Sequence, residues 1–142
     1  MRLRRTTLFL SVLLLSVAGC KVSCTTANIS GLKFSKDKEG KVETNTFAPA
    51  DTIYVTATVS NVPSKVTLKF RLFTEKVEGQ PENAPVPNFD VSLELPTDGY
   101  GYYTLTPPPA GWPVGRYRVE VAMLTESGEQ KDQETGTFTV SR

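Results

Sequence analysis

The sequence predicts an all-β protein, a single domain of about seven short antiparallel strands packed as a two-sheet sandwich. Through most of residues 29–142 apolar side chains recur at every second position, the period of a strand with one face in a core and one in water. Clusters of Gly, Pro, Asn, Asp and Ser break these runs at near-regular spacing, which favours a sandwich of short strands over a barrel. No stretch of useful length shows the helical period.

Residues 1–19 stand outside that pattern. Arg2, Arg4 and Arg5 form a basic head, and from Leu8 to Ala18 only Ser11 and Ser16 interrupt an apolar segment. As a helix it would reach roughly 16 Å at about 1.5 Å per residue, against a hydrocarbon core of roughly 30 Å, so it is too short for a stable span. A basic head, a short apolar middle and small residues at the end make an export signal. The end, Val17-Ala18-Gly19-Cys20, resembles the lipobox of bacterial lipoproteins. The resemblance implies a diacylglycerol thioether on Cys20, cleavage just before it, and a mature chain that starts there and partners a membrane through its lipid. The two chains of the diacylglycerol meet what stable anchoring requires, and further acylation of the new amine adds a third. Ordinary cleavage near Ala18 to Cys20 without lipid is the alternative. Residues 20–28 read as a lipidated tether, and with Cys20 alkylated, Cys24 is left a free thiol. Lys21 follows the modified cysteine where an aspartate commonly retains enteric lipoproteins in the inner membrane. In a cell with two membranes this implies the outer one.

Within the domain, 29–142, the first strand is expected at 29–34. "TIYVTATV" turns Ile53, Val55, Ala57 and Val59 inward, and "KVTLKFRLF" does the same with Val66, Leu68, Phe70 and Leu72. The turn-forming "SNVPSK" between them predicts a hairpin. Residues 79–87, "GQPENAPVP", read as an exposed excursion because proline cannot donate to a sheet ladder. "NFDVSLEL", "GYYTL", "GRYRVEVAML" and "GTFTV" complete the strands.

At "PPPAGWPVGRYRVEV" the chain is similar to the corner and following strand of immunoglobulin-like and fibronectin type III domains. Tyr117 matches that family's corner tyrosine, whose hydroxyl bonds to backbone a few residues upstream. Trp112 is assigned with it to a structural corner. The paired core cysteines and third-strand tryptophan of antibody-type domains are absent.

Without its leader the chain carries 13 Lys and Arg against 15 Asp and Glu, a poor match to nucleic acid, whose binding rests on cations neutralising phosphates. Lys33, Lys36, Lys38 and Lys41 are a local exception, read as a solvated loop or as attraction to anionic lipid worth about 1 kcal/mol per lysine. There is no histidine, no nucleophile elbow and no phosphate-cradling glycine loop, and Asp90 and Glu94 fall on the outward face of their strand. No enzyme, metal site or cofactor is expected. In "DGYGYY", Tyr100 and Tyr102 are the candidate binding surface, since exposed tyrosines offer rigid apolar area with a polar handle. Tyr100 is expected in a loop between glycines, and Tyr102 to point outward opposite Tyr103. The function expected is a lipid-anchored, non-catalytic module of the bacterial envelope that contacts an envelope protein. Glycan binding through the tyrosines and enzyme inhibition are the alternatives.

Overall fold

A computed structural model describes residues 26–142, which form two facing sheets and, among the described residues, no helix. The first sheet is antiparallel, with β1 (Asn28–Ser35), β3 (Ile53–Ser60) and β7 (Gly99–Leu105) in the order β1-β3-β7. The second runs β2 (Thr46–Phe47), β9 (Gln130–Val140), β8 (Gly115–Thr125), β4 (Val66–Val77). On the far edge of β4 lie two short segments, β6 (Val91–Leu95) beside Val66 to Phe70 and β5 (Ala84–Pro85) beside Phe73 and Thr74. Seven strands have five or more residues, and β2 and β5 are two-residue additions. The sandwich is not wholly antiparallel, because β2 pairs with β9 in parallel.

Alternation assembles the core as expected. Ile53, Val55, Ala57 and Val59 from β3 face Leu68, Phe70 and Leu72 from β4 and Val119, Val121 and Met123 from β8, and all are buried. Each fully buried side chain of this size contributes about 1.5–3 kcal/mol.

The expected hairpin between β3 and β4 does not form: the two strands lie in different sheets, joined by a crossover. Alternation says which face of a strand is buried but not which neighbour it pairs with, and two strands facing across a core have the same pattern as two side by side. The crossover is held by Asp98, whose carboxylate accepts from the amides of Asn61 at 3.1 Å and Val62 at 2.7 Å, with Asn61 at φ +60°. The excursion at 79–87 is not wholly irregular either. Val86 N–H donates to Leu72 O at 2.8 Å, and the buried Thr74 hydroxyl bonds to Pro81 O and Ala84 O, so the prolines sit on an edge where their missing donors cost nothing. The last strand begins at Gln130 rather than at "GTFTV", because its outer half is polar and lacks the alternation.

Aromatic rings close one end. Phe34 meets Phe138 at 5.5 Å, Phe138 stacks on Tyr117 at 5.1 Å, Tyr117 meets Trp112 at 5.9 Å and Trp112 meets Phe89 at 5.4 Å. Trp112 is 3% exposed, and its indole N–H donates to Asp51 O at 2.9 Å. The Tyr117 hydroxyl donates to Pro113 O, four residues upstream, at 2.7 Å. Trp112→Ala is expected to cost about 3–5 kcal/mol through lost packing. Tyr117→Phe, which keeps the ring, is expected to cost about 1 kcal/mol. Urea unfolding followed by circular dichroism checks both, and equal losses would show that the ring is not what matters.

Burial pushes the Tyr117 hydroxyl up to about 12. Tyr103 is raised too, by burial first and then by the charge of Asp90, and its hydroxyl donates to Phe89 O. An unfolded tyrosine ionises near pH 10, so above about pH 10 the unfolded chain gives up protons that the folded chain keeps. Stability is therefore expected to be independent of these groups below about pH 10 and to fall between about pH 10 and 12. Urea midpoints measured across that range check this, and midpoints unchanged to pH 12 would contradict it.

Candidate functional site

Tyr100 and Tyr102 lie inside β7, not in a loop, because the antiparallel ladder with β3 extends to Gly99. Both point outward as neighbours on one face, 57% and 59% exposed, with ring centroids 6.4 Å apart. Gly101 between them points inward, where a Cβ would stand 2.5 Å from Leu68 Cδ1. The missing side chain lets β7 lie close against the opposite sheet, so the two exposed rings sit on backbone backed by the core.

Pairing adds a third ring. Tyr54 of β3 is opposite Thr104, Thr56 is opposite Tyr102 and Thr58 is opposite Tyr100, which puts Tyr54 diagonal to Tyr102 on the outer face. Tyr54 was derivable as outward-pointing from "TIYVTATV", but its place beside Tyr102 depends on a pairing between strands far apart in sequence. Between Tyr54 and Tyr102 opens a cleft of about 530 Å³, lined also by Thr104, Lys38 and Glu39. The last two come from the 36–43 loop, whose shape is set by Asp37: its carboxylate accepts from Val42 N–H at 2.6 Å and Lys41 N–H at 2.9 Å. These two bonds, Val42's first, hold the Asp37 carboxyl below its usual range. Lys33 pairs with Glu43 at 3.3 Å and Lys36 with Asp51 at 3.3 Å, so two of the four lysines in this region are neutralised locally.

The other candidate residues are structural in their placement. Trp112 and Tyr117 belong to the aromatic closure, and a smaller cavity of about 210 Å³ beside them is lined by Pro85, Pro87, Phe89 and Pro108. Asp90 and Glu94 stand exposed and pair with Arg71 at 3.6 Å and Lys65 at 3.5 Å. Among the described residues no group of three or more His, Cys, Asp or Glu side chains is placed to hold a metal ion. Cys20, Cys24 and the leader lie outside the described residues.

The outer face of the second sheet differs in kind. Arg116 pairs with Glu75 at 2.6 Å and Arg118 with Glu120 at 3.1 Å. Arg71 and Arg118 stack over Phe73 at 4.9 and 4.8 Å. That face is a lattice of paired charges.

No protein-family model matches this sequence, and no curated protein matches it. Among solved structures, the chain is similar over 82% of its length to the Pseudomonas fluorescens alkylpurine DNA glycosylase AlkC bound to DNA containing an abasic site analog, at 14% identity and a TM-score of 0.51. The match spans 31% of that glycosylase chain, so the chain corresponds to under a third of it. A Niemann-Pick type C2 protein from Japanese carpenter ant aligns over 82% of this chain and 93% of its own, at 14% identity and a TM-score of 0.48. The first of these likenesses is one of fold alone.

Proposed function

We propose that the chain is a lipid-anchored, non-catalytic binding module of the bacterial cell envelope, an immunoglobulin-like sandwich held to a membrane through Cys20. Two features support the immunoglobulin-like assignment: the division of strands into β1-β3-β7 and β9-β8-β4, and the bond from Tyr117 to Pro113 O at the corner. The lipobox supports the anchor.

The observation that carries the reading is the polarity of the sandwich. Asn28, Ser60, Gly99, Val66 and Thr125 all lie at one end in the strand registers, and Ile29 N–H is fastened there to Asp132 Oδ2 at 2.8 Å. The described chain starts at that pole, with Ala27 buried and Asn28, the last residue of the proposed tether, already in β1. The 36–43 loop, the Trp112 corner and the proline-rich 79–87 segment lie at the opposite pole, roughly 26 Å away over the eight residues of β1 at about 3.3 Å each. An anchored molecule then presents these loops to an envelope protein. Confinement to a plane raises the effective concentration, so weak contacts suffice. The lysines of the 36–43 loop face away from the anchoring lipid in this reading, whereas Asp98, Glu126 and Glu129 face it.

In the native bacterium, the wild-type chain is expected to incorporate labelled palmitate and to sediment with membranes, in the outer-membrane fraction where there are two. Cys20→Ser is expected to lose both properties. Replacing Lys36, Lys38 and Lys41 together by Gln is expected to leave sedimentation unchanged. A Cys20→Ser protein that still sediments with membranes would refute the anchor.

A further inference from the structure

We propose that the outer face of β3 and β7, walled by the 36–43 loop, is a binding site for a neutral polysaccharide. This goes beyond the anchored-module reading and does not depend on the lipid.

The argument starts from the side chains that the two strands turn outward. On β3 they are Tyr54, Thr56, Thr58 and Ser60, and on β7 they are Tyr100, Tyr102 and Thr104. Every one carries a hydroxyl and none is an Asp, Glu, Lys or Arg. A sheet face that is merely solvated has no need of such uniformity, and the opposite sheet shows the ordinary solution in its paired Arg71, Arg116, Arg118, Glu120 and Glu75. At the border of the hydroxyl face, β1 contributes Lys33, already neutralised by Glu43, and the cleft wall contributes Lys38 and Glu39, one charge of each sign.

Charge complementarity selects the occupant. A nucleic acid, an acidic polymer or an anionic lipid surface would need unpaired cations here. An aliphatic protein surface would need aliphatic partners, and the outward positions of these strands hold none. A neutral polysaccharide presents what the face matches: apolar C–H faces that stack on tyrosine rings, and hydroxyls that exchange hydrogen bonds with threonine, serine and tyrosine oxygens. Positions two apart on a strand are spaced by roughly 6.6–6.8 Å, and the Tyr100 and Tyr102 rings stand 6.4 Å apart. They form a short row along β7 on which successive sugar rings can lie, with the cleft between Tyr54 and Tyr102 at its end. The platform is rigid because Gly101 seats β7 against Leu68 and because the Tyr103 hydroxyl is tied to Phe89 O.

The test uses the full chain in detergent, co-sedimented with insoluble cellulose, mannan and β-1,3-glucan. Retention by at least one polymer is expected, and it should persist in high salt because no ion pair is involved. Tyr102→Ala is expected to weaken retention about tenfold, the worth of one well-stacked ring, while Tyr102→Phe stays within about threefold of wild type. Both residues are exposed, so these changes leave the core intact; Arg71→Ala on the other sheet is expected to change nothing. Retention by none of the three polymers would overturn the proposal, as would retention undiminished in a Tyr100→Ala, Tyr102→Ala double variant. So would concentration-dependent dimerisation abolished by that double variant, which would give the face to a second copy of this chain. Cys20→Ser is expected to keep polysaccharide binding and the tyrosine variants to keep membrane sedimentation, so each reading can fail without the other.

Discussion

The chain of aromatic contacts from Phe34 through Phe138, Tyr117 and Trp112 to Phe89 is the constraint on which the far end of the molecule depends. It joins β1 of one sheet to β8 and β9 of the other, and Trp112 extends it to the segment before β3, its indole N–H donating to Asp51 O and its backbone N–H to Pro49 O. Asp51 in turn holds Ala48 N–H and Lys36, so the loop that walls the cleft rests at one remove on the same closure. Ring stacking supplies contact area, and the two polar tips, indole and phenol, each find a backbone carbonyl. The closure therefore leaves no buried donor of its own unsatisfied.

Much of this fold could be read in the chain, for a reason that also sets the limit. In β3, β4 and β8 the inward positions are apolar apart from Thr74, whose hydroxyl is bonded to Pro81 O and Ala84 O, so period two reports burial closely. It does not report partnership. The crossover after Ser60 looks like a hairpin turn because both contain Asn, Pro and Ser, and what distinguishes them is Asp98, 37 residues on, which accepts the amide of Asn61. The corner was legible because its bond is local, from Tyr117 to a carbonyl four residues earlier. The pairing of Tyr54 with the β7 tyrosines was not, because it joins residues nearly fifty apart, and neither was the parallel β2, whose two residues carry no periodicity.

The two outer faces of the scaffold treat their aromatic rings in opposite ways. On the second sheet Arg71 and Arg118 cover Phe73 while their charges are answered by Asp90 and Glu120, an arrangement that hides an aromatic ring from water. Exposed pairs of this kind add little stability, so their value lies in keeping the surface wettable. On the first sheet the rings are left uncovered. A face of tyrosine and threonine stays hydrated through its hydroxyls and still offers apolar area, which distinguishes it from a bare hydrophobic patch prone to aggregation.

The first strand has a mechanical consequence. A pull on the chain ahead of Asn28, resisted by anything gripping the other pole, runs along the axis of β1. The hydrogen bonds from β1 to β3 lie across that axis. Force is then shared among many bonds in shear instead of opening them one by one as a zipper would. Because the chain next crosses to β9 through β2, the load passes to the second sheet as well. The molecule is laid out to transmit tension from end to end without unravelling at the start of β1.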